Sequence, residues 1–188
     1  MLDMPLLIAS ILMGVLLVVA AGYDIVEQRI PNRLTYSAIV AGIGYWTLAG
    51  LTQGGPSGAL EGLTVSTFTT ALAALPMVII FSMGGLGGGD VKLAAAIGAW
   101  VANPLIVLAA GFYAFTAAML MSIVVMCRQR VVGRTFRRLL SAAIAASTKT
   151  EWAAPEDSPR IPFAVSLAVG GITATTLTLT IGAPWPMT

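Results

Sequence analysis

The sequence predicts an all-α integral membrane protein, a six-transmembrane-helix bundle forming one domain over residues 1–188, with the N-terminus and C-terminus outside. Three observations lead there. Apolar residues make up 57 % of the chain and charged residues only 10 %, with a mean hydropathy of +0.91. A soluble domain carries about a quarter charged residues, so this chain lacks the means to cover a water-facing surface. Its apolar runs recur at helical lengths, and its basic residues all fall between runs on one side.

The runs lie at about 5–23, 34–51, 59–81, 91–102, 105–127 and 161–181. Five are long enough to cross a bilayer core. The fourth, about 18 Å long at 1.5 Å per residue, needs part of the preceding glycine run. It ends at Asn103-Pro104, a turn signal. The first run lacks a basic stretch ahead of it, with only Asp3 there, and more apolar segments follow. It reads as a retained helix rather than a secretory signal.

Charge sets the orientation. With six spans, the segments 24–33, 82–92 and 128–160 share one side and hold all ten lysines and arginines. Basic residues favour the cytoplasmic face, so that face is inside. Were 91–127 to cross once, the arginine-rich segment would part from Arg29 and Lys92. Within the 128–160 loop, Val131, Val132, Thr135, Phe136, Leu139, Leu140 and Ala143 recur at helical spacing among arginines. That pattern predicts a basic amphipathic helix on the inner leaflet, facing anionic headgroups. Residues 151–160 read as a loop. The pI near 9 thus points to lipid, not nucleic acid.

Composition also limits the chemistry. Histidine is absent and Cys127 is the only cysteine. Ser-His-Asp and Cys-His catalysis are excluded, as are an internal disulfide and a CxxC zinc pair. Carboxylates, hydroxyls, lysine and backbone remain.

Two carboxylates stand out. Asp24 follows the first run, within Tyr23-Asp24-Ile25-Val26-Glu27-Gln28-Arg29-Ile30-Pro31-Asn32, and Asp90 ends the glycine run 84–89. The topology puts both on the inner side at similar depth. Two aspartates close together in a partly dry site cannot both ionise cheaply, so one keeps a proton while the other acts as base. Such a pair can activate water against a peptide carbonyl without metal or cofactor. Gly84, Gly85, Gly87, Gly88 and Gly89 can adopt positive φ, admit an extended substrate strand and act as a hinge. Each feature alone has a plainer meaning. Asp24 is also what an interfacial helix end carries, Asp90 is a candidate helix N-cap, and Lys92 suits a headgroup anchor. Small residues in the second, third and sixth runs allow tight packing.

At these residues the sequence resembles the type IV prepilin peptidase family of GxGD membrane peptidases. The motif stands as Gly87-Gly88-Gly89-Asp90, continuing into Val91-Lys92-Leu93. Asp24 precedes Ile30-Pro31-Asn32 at the expected distance, and Ile161-Pro162-Phe163 opens the last run. The resemblance implies that Asp24 and Asp90 are the catalytic pair, with Gly87, Gly88, Gly89 and Lys92 at the substrate. It implies a bacterial inner-membrane aspartic endopeptidase, needing no cofactor, that cuts the short basic leader of prepilins or pseudopilins at the cytoplasmic face. Pilus assembly machinery is a further partner it suggests. Full-length members usually carry a large insert between the first two helices, often with two CxxC pairs, and also N-methylate the product. About ten residues stand there here, without cysteine, so the chain looks like the short, peptidase-only form of tight-adherence (Flp) pili. It departs from the family at Val26, where a basic residue is common, and at Ala164, where glycine is common. The rival readings are a presenilin-like intramembrane protease, a small transporter, whose carboxylates would line the bilayer depth, and a secretion-system scaffold.

Overall fold

The computed structural model describes residues 4–128 and 163–182. Among these the chain is helical, with no strand: α1 (Met4–Glu27), α2 (Asn32–Ser82), α3 (Gly88–Val101), α4 (Pro104–Arg128) and α5 (Phe163–Ile181). Four of them, all but α3, are long and apolar enough to cross a membrane. The amphipathic helix expected within 128–160, the loop at 151–160 and Ile161-Pro162 lie outside the described residues. Residues 4–117 and 163–182 belong to one compact unit, and residues 118–128 to a second. The candidate site lies wholly in the first.

The expected second and third spans are the two arms of α2, which meet at a break at Gly55, whose φ of 64° and ψ of −150° are open only to glycine. Pro56 follows, placed to start a new helical arm. The two arms fold back on each other. A Cβ at Gly50 would strike the backbone of Gly58, and one at Gly62 would strike that of Trp46. The pairs 50/58 and 46/62 are centred on Gly54, which is the signature of an antiparallel hairpin. Gly58 and Gly62 are a small-xxx-small pair, the spacing that lets helix backbones meet in lipid, where apolar burial gives little drive for association. The sequence's two runs are thus two arms, joined by a turn too tight to leave a loop.

Between them sits α3, and every residue from Leu93 to Val101 is buried. Its small face explains how. A Cβ at Gly98 would overlap the Thr69 backbone, and one at Gly42 would lie 2.9 Å from the Ala99 carbonyl carbon. Fourteen residues make a helix of about 21 Å, short of a ~30 Å hydrocarbon core. Its last carbonyls therefore need donor partners within the protein. The arms of α2 supply them: Thr69 Oγ1 donates to Gly98 O at 2.8 Å, Ser66 Oγ to Ala99 O at 2.8 Å, and Trp46 Nε1 to Trp100 O at 2.8 Å. Ala102 ends the helix in the left-handed region at φ 45°. Asn103 Oδ1 then accepts from the N–H groups of Leu105 and Ile106, with Pro104 at the first position of α4. The expected break at Asn103-Pro104 is a helix cap.

α5 closes the unit. Gly170 faces the backbone of Ala110 and Ala114, and Gly171 packs on Leu17 of α1. Large apolar side chains such as Val18, Val40 and Phe68 remain more than half exposed, while alanines and glycines fill the interior. This inverted distribution is what a lipid solvent demands. The chain is a multi-pass membrane protein.

Candidate active site

α1 runs one turn beyond the first apolar run, so Asp24 stands in its last turn. Gln28 ends the helix, at φ 51° and with its N–H on Asp24 O at 3.1 Å. The connection to α2 is then only residues 28–31, and Pro31 serves as N-cap of α2. On the other side, α2 ends in a Schellman turn. Gly84 takes φ 76°, its N–H donates to Phe81 O at 2.9 Å, and the Gly85 N–H donates to Ile80 O at 3.0 Å.

The glycine run is therefore more ordered than expected. Of its five glycines only Gly84 has positive φ. Gly87 is the extended N-cap of α3, and Gly88 and Gly89 already belong to its first turn. Asp90 is not the cap but the third helical residue. Its Oδ2 accepts from the Gly87 N–H at 3.3 Å, reaching back over the helix start. The glycines have separate steric reasons. A Cβ at Gly87 would crowd Asp90 Oδ2 at 3.3 Å, and one at Gly89 would press on Ile30 Cβ at 3.3 Å.

That last contact joins the two sequence motifs. Ile30 is buried against α3, and the linker beside it shares a cavity of about 410 Å³ with the glycine turn. Asp24, Gln28, Arg29, Ile30, Pro31 and Asn32 line one part, and Gly87, Gly88, Gly89 and Asp90 the other. The two aspartates thus face one space large enough for several waters and a stretch of peptide. Asp90 lies just ahead of the apolar run that begins at Val91. Burial, and secondarily the charge of Asp24, push its carboxyl up to about 6, against the opposing pull of the Gly87 N–H. Below about pH 6 a proton is thus retained that an ordinary carboxylate would have lost.

Asp24 has a partner from far along the chain. The Ala164 N–H, in the first turn of α5, donates to Asp24 Oδ2 at 3.1 Å. Lys92 is placed elsewhere than the glycines. Its ammonium donates to Asn32 Oδ1 at 2.8 Å and sits 4.9 Å from the centre of the Tyr36 ring. It ties α3 to the start of α2 and does not line the cavity. Gln28 and Arg29 were not singled out by the sequence. No local signal marks a glutamine that will end a helix in the left-handed region, and Arg29 reads only as a basic residue on the inner side.

A family model described as the type IV leader peptidase family matches residues 11–127. The chain belongs to this family. The matched segment contains Asp24, the Ile30-Pro31-Asn32 linker and Asp90, and stops short of α5. Comparison with curated proteins and with solved structures returned no match. Membership of the type IV leader peptidase family makes the chain a protease.

Proposed function

We propose that the chain is an aspartic endopeptidase that removes the short basic leader from type IV prepilins or pseudopilins, using Asp24 and Asp90. The observation carrying this reading is that both carboxylates line one open cavity near enough for the charge of one to raise the proton affinity of the other. A water held between them loses a proton to the ionised carboxylate as its oxygen attacks the scissile carbonyl. The protonated partner gives its proton to the carbonyl oxygen, forming a neutral gem-diol. Collapse returns a hydroxyl proton to that partner, while the first carboxyl passes its proton to the leaving nitrogen. The pair ends as it began, and it titrates as one unit.

Substrate and side of the membrane follow from charge and shape. The inner segments carry the basic residues, so the cavity faces the cytoplasm, where an uncleaved leader stays while its hydrophobic helix sits in lipid. The glycine backbone at 87–89 offers little side-chain bulk beside the scissile bond. The linker 28–31 leaves no room for the insert that accompanies methylation in full-length family members. The activity is therefore cleavage alone.

Purified protein in detergent, mixed with a prepilin, tests this by the mass of the product. Asp24→Asn and Asp90→Asn should each abolish cleavage in a folded protein. Retained cleavage by either removes that residue from the mechanism, and a methylated product overturns the peptidase-only assignment.

A further inference from the structure

Asp24 occupies an awkward place on its own helix. It lies in the last turn of α1, where free carbonyls and the negative end of the helix dipole disfavour a carboxylate. The compensation comes from α5. Ala164 is fully buried and belongs to the first turn of that helix, whose N–H groups have no intrahelical acceptor. Its N–H points at Asp24 Oδ2 from 3.1 Å, across 140 residues of sequence. A backbone donor at the positive end of a helix favours the ionised form of the carboxyl it meets. α5 brings no titratable side chain of its own, so this effect belongs to its backbone. Among the described residues, the other charged groups around Asp24 are Asp90 on α3, Arg29 on the linker and the exposed Glu27 on α1, while Lys92 is held by Asn32.

We propose that the first turn of α5 is a positioning element for the aspartate pair. The Ala164 N–H fixes the Asp24 carboxylate in place, so Asp24 takes the proton from water and Asp90 carries the shared proton to the carbonyl oxygen. This rests on the peptidase reading above and divides the labour that reading leaves open. It also gives a reason for the helix start after Pro162: the turn must present an unpaired N–H at residue 164, whichever small side chain stands there.

The test deletes one N–H. Alanine 164 is replaced by lactic acid, which keeps the methyl group and turns the amide into an ester; Ala164→Pro, tolerated in a first turn, is a second route. Ala164→Gly, which keeps the N–H, is the control. Cleavage of a synthetic prepilin is followed from pH 4 to 9, and the carboxyl carbons of the pair are titrated by NMR in the same proteins. Loss of a charge-assisted bond should move the acid limb of kcat/KM upward by about one to two pH units. Well below the inflection, activity should fall roughly ten- to hundredfold, with the plateau little changed and the glycine variant like the parent. An unmoved acid limb, including a uniform loss at every pH, overturns the proposal and leaves the peptidase reading standing. If the parent protein does not cut prepilin, that reading falls instead. The carboxyl titration then still decides whether the Ala164 N–H controls the charge of the pair, and an unshifted titration in the ester protein overturns it.

Discussion

Ile30 packs directly over Gly89, with the position of a Cβ on that glycine only 3.3 Å from Ile30 Cβ. The contact seats the α1–α2 linker against the first turn of α3 and so holds the two aspartate-bearing segments around one cavity.

Substitution at this contact should therefore damage catalysis more than folding. Gly89→Val should lower cleavage of a prepilin at least tenfold, by pushing the linker away from α3, while changing thermal stability in detergent by no more than about 1–3 kcal/mol. Ile30→Ala in the same protein should recover part of the activity, since it removes the Cγ1 and Cδ1 atoms 3.6 Å from the Cβ position at Gly89 and leaves only Cβ. Additive losses in the double mutant would show that the two residues are not coupled.

The raised Asp90 carboxyl makes two pH dependences. Its proton is held up to about pH 6 in the folded protein, against 3.8 for the free group. The folded state thus binds the proton more tightly than the unfolded state. Stability from this group is fully present below pH 3.8 and is lost as pH rises through about 6. Asp90→Asn should flatten that part of a stability–pH curve measured by denaturation. The kcat/KM of the parent should fall as pH rises through the same region, because the acid partner is then ionised in the free enzyme. A profile level to pH 9 would contradict this.

The carbonyls ending α3 depend on hydroxyls from α2. Ser66→Ala and Thr69→Ala should each cost about 0.6–1.7 kcal/mol, the range for interhelical hydrogen bonds in membranes. Reversible unfolding in mixed micelles measures this. Both bonds lie at the C-terminal end of α3, opposite the turn that carries Asp90, so the residual folded protein should keep its cleavage rate.

Glycine positions divide sharply by what lies opposite. Gly98→Ala drives a methyl into the Thr69 backbone and should prevent correct folding, or cost about 3 kcal/mol or more. Gly44→Ala meets open space and should be neutral or stabilise by roughly 0.5–1 kcal/mol. Yield and melting temperature in detergent separate the two.

Much of the site was legible because its parts are local. Asp90 within its glycine run and Asp24 ahead of Ile30-Pro31-Asn32 are contiguous patterns, and the distribution of arginines and lysines put both on one side. The bonds that make the site rigid were not legible. The Ala164 residue showed only as a departure from the family's usual glycine, since a backbone N–H carries no sequence signature. The glycine run likewise read as a flexible hinge, whereas only Gly84 needs positive φ and Gly87 and Gly89 are set by contacts with Asp90 and Ile30. The second and third apolar runs read as separate spans, and they are the two arms of α2. That they meet at Gly55 without a loop depends on close backbone approach at Gly50, Gly58 and Gly62.

The amino-acid order alone determined a lipid-embedded helical protein and the local patterns that carry Asp24 and Asp90, because hydropathy and charge act through composition and spacing. Only the tertiary structure decided that α3 is a short central helix capped by hydroxyls of α2, that Lys92 turns to Asn32 rather than the cavity, and that α5 returns to hold Asp24. The α3 cap rests on pairing buried polar groups away from water, and in each case the partners lie tens of residues apart.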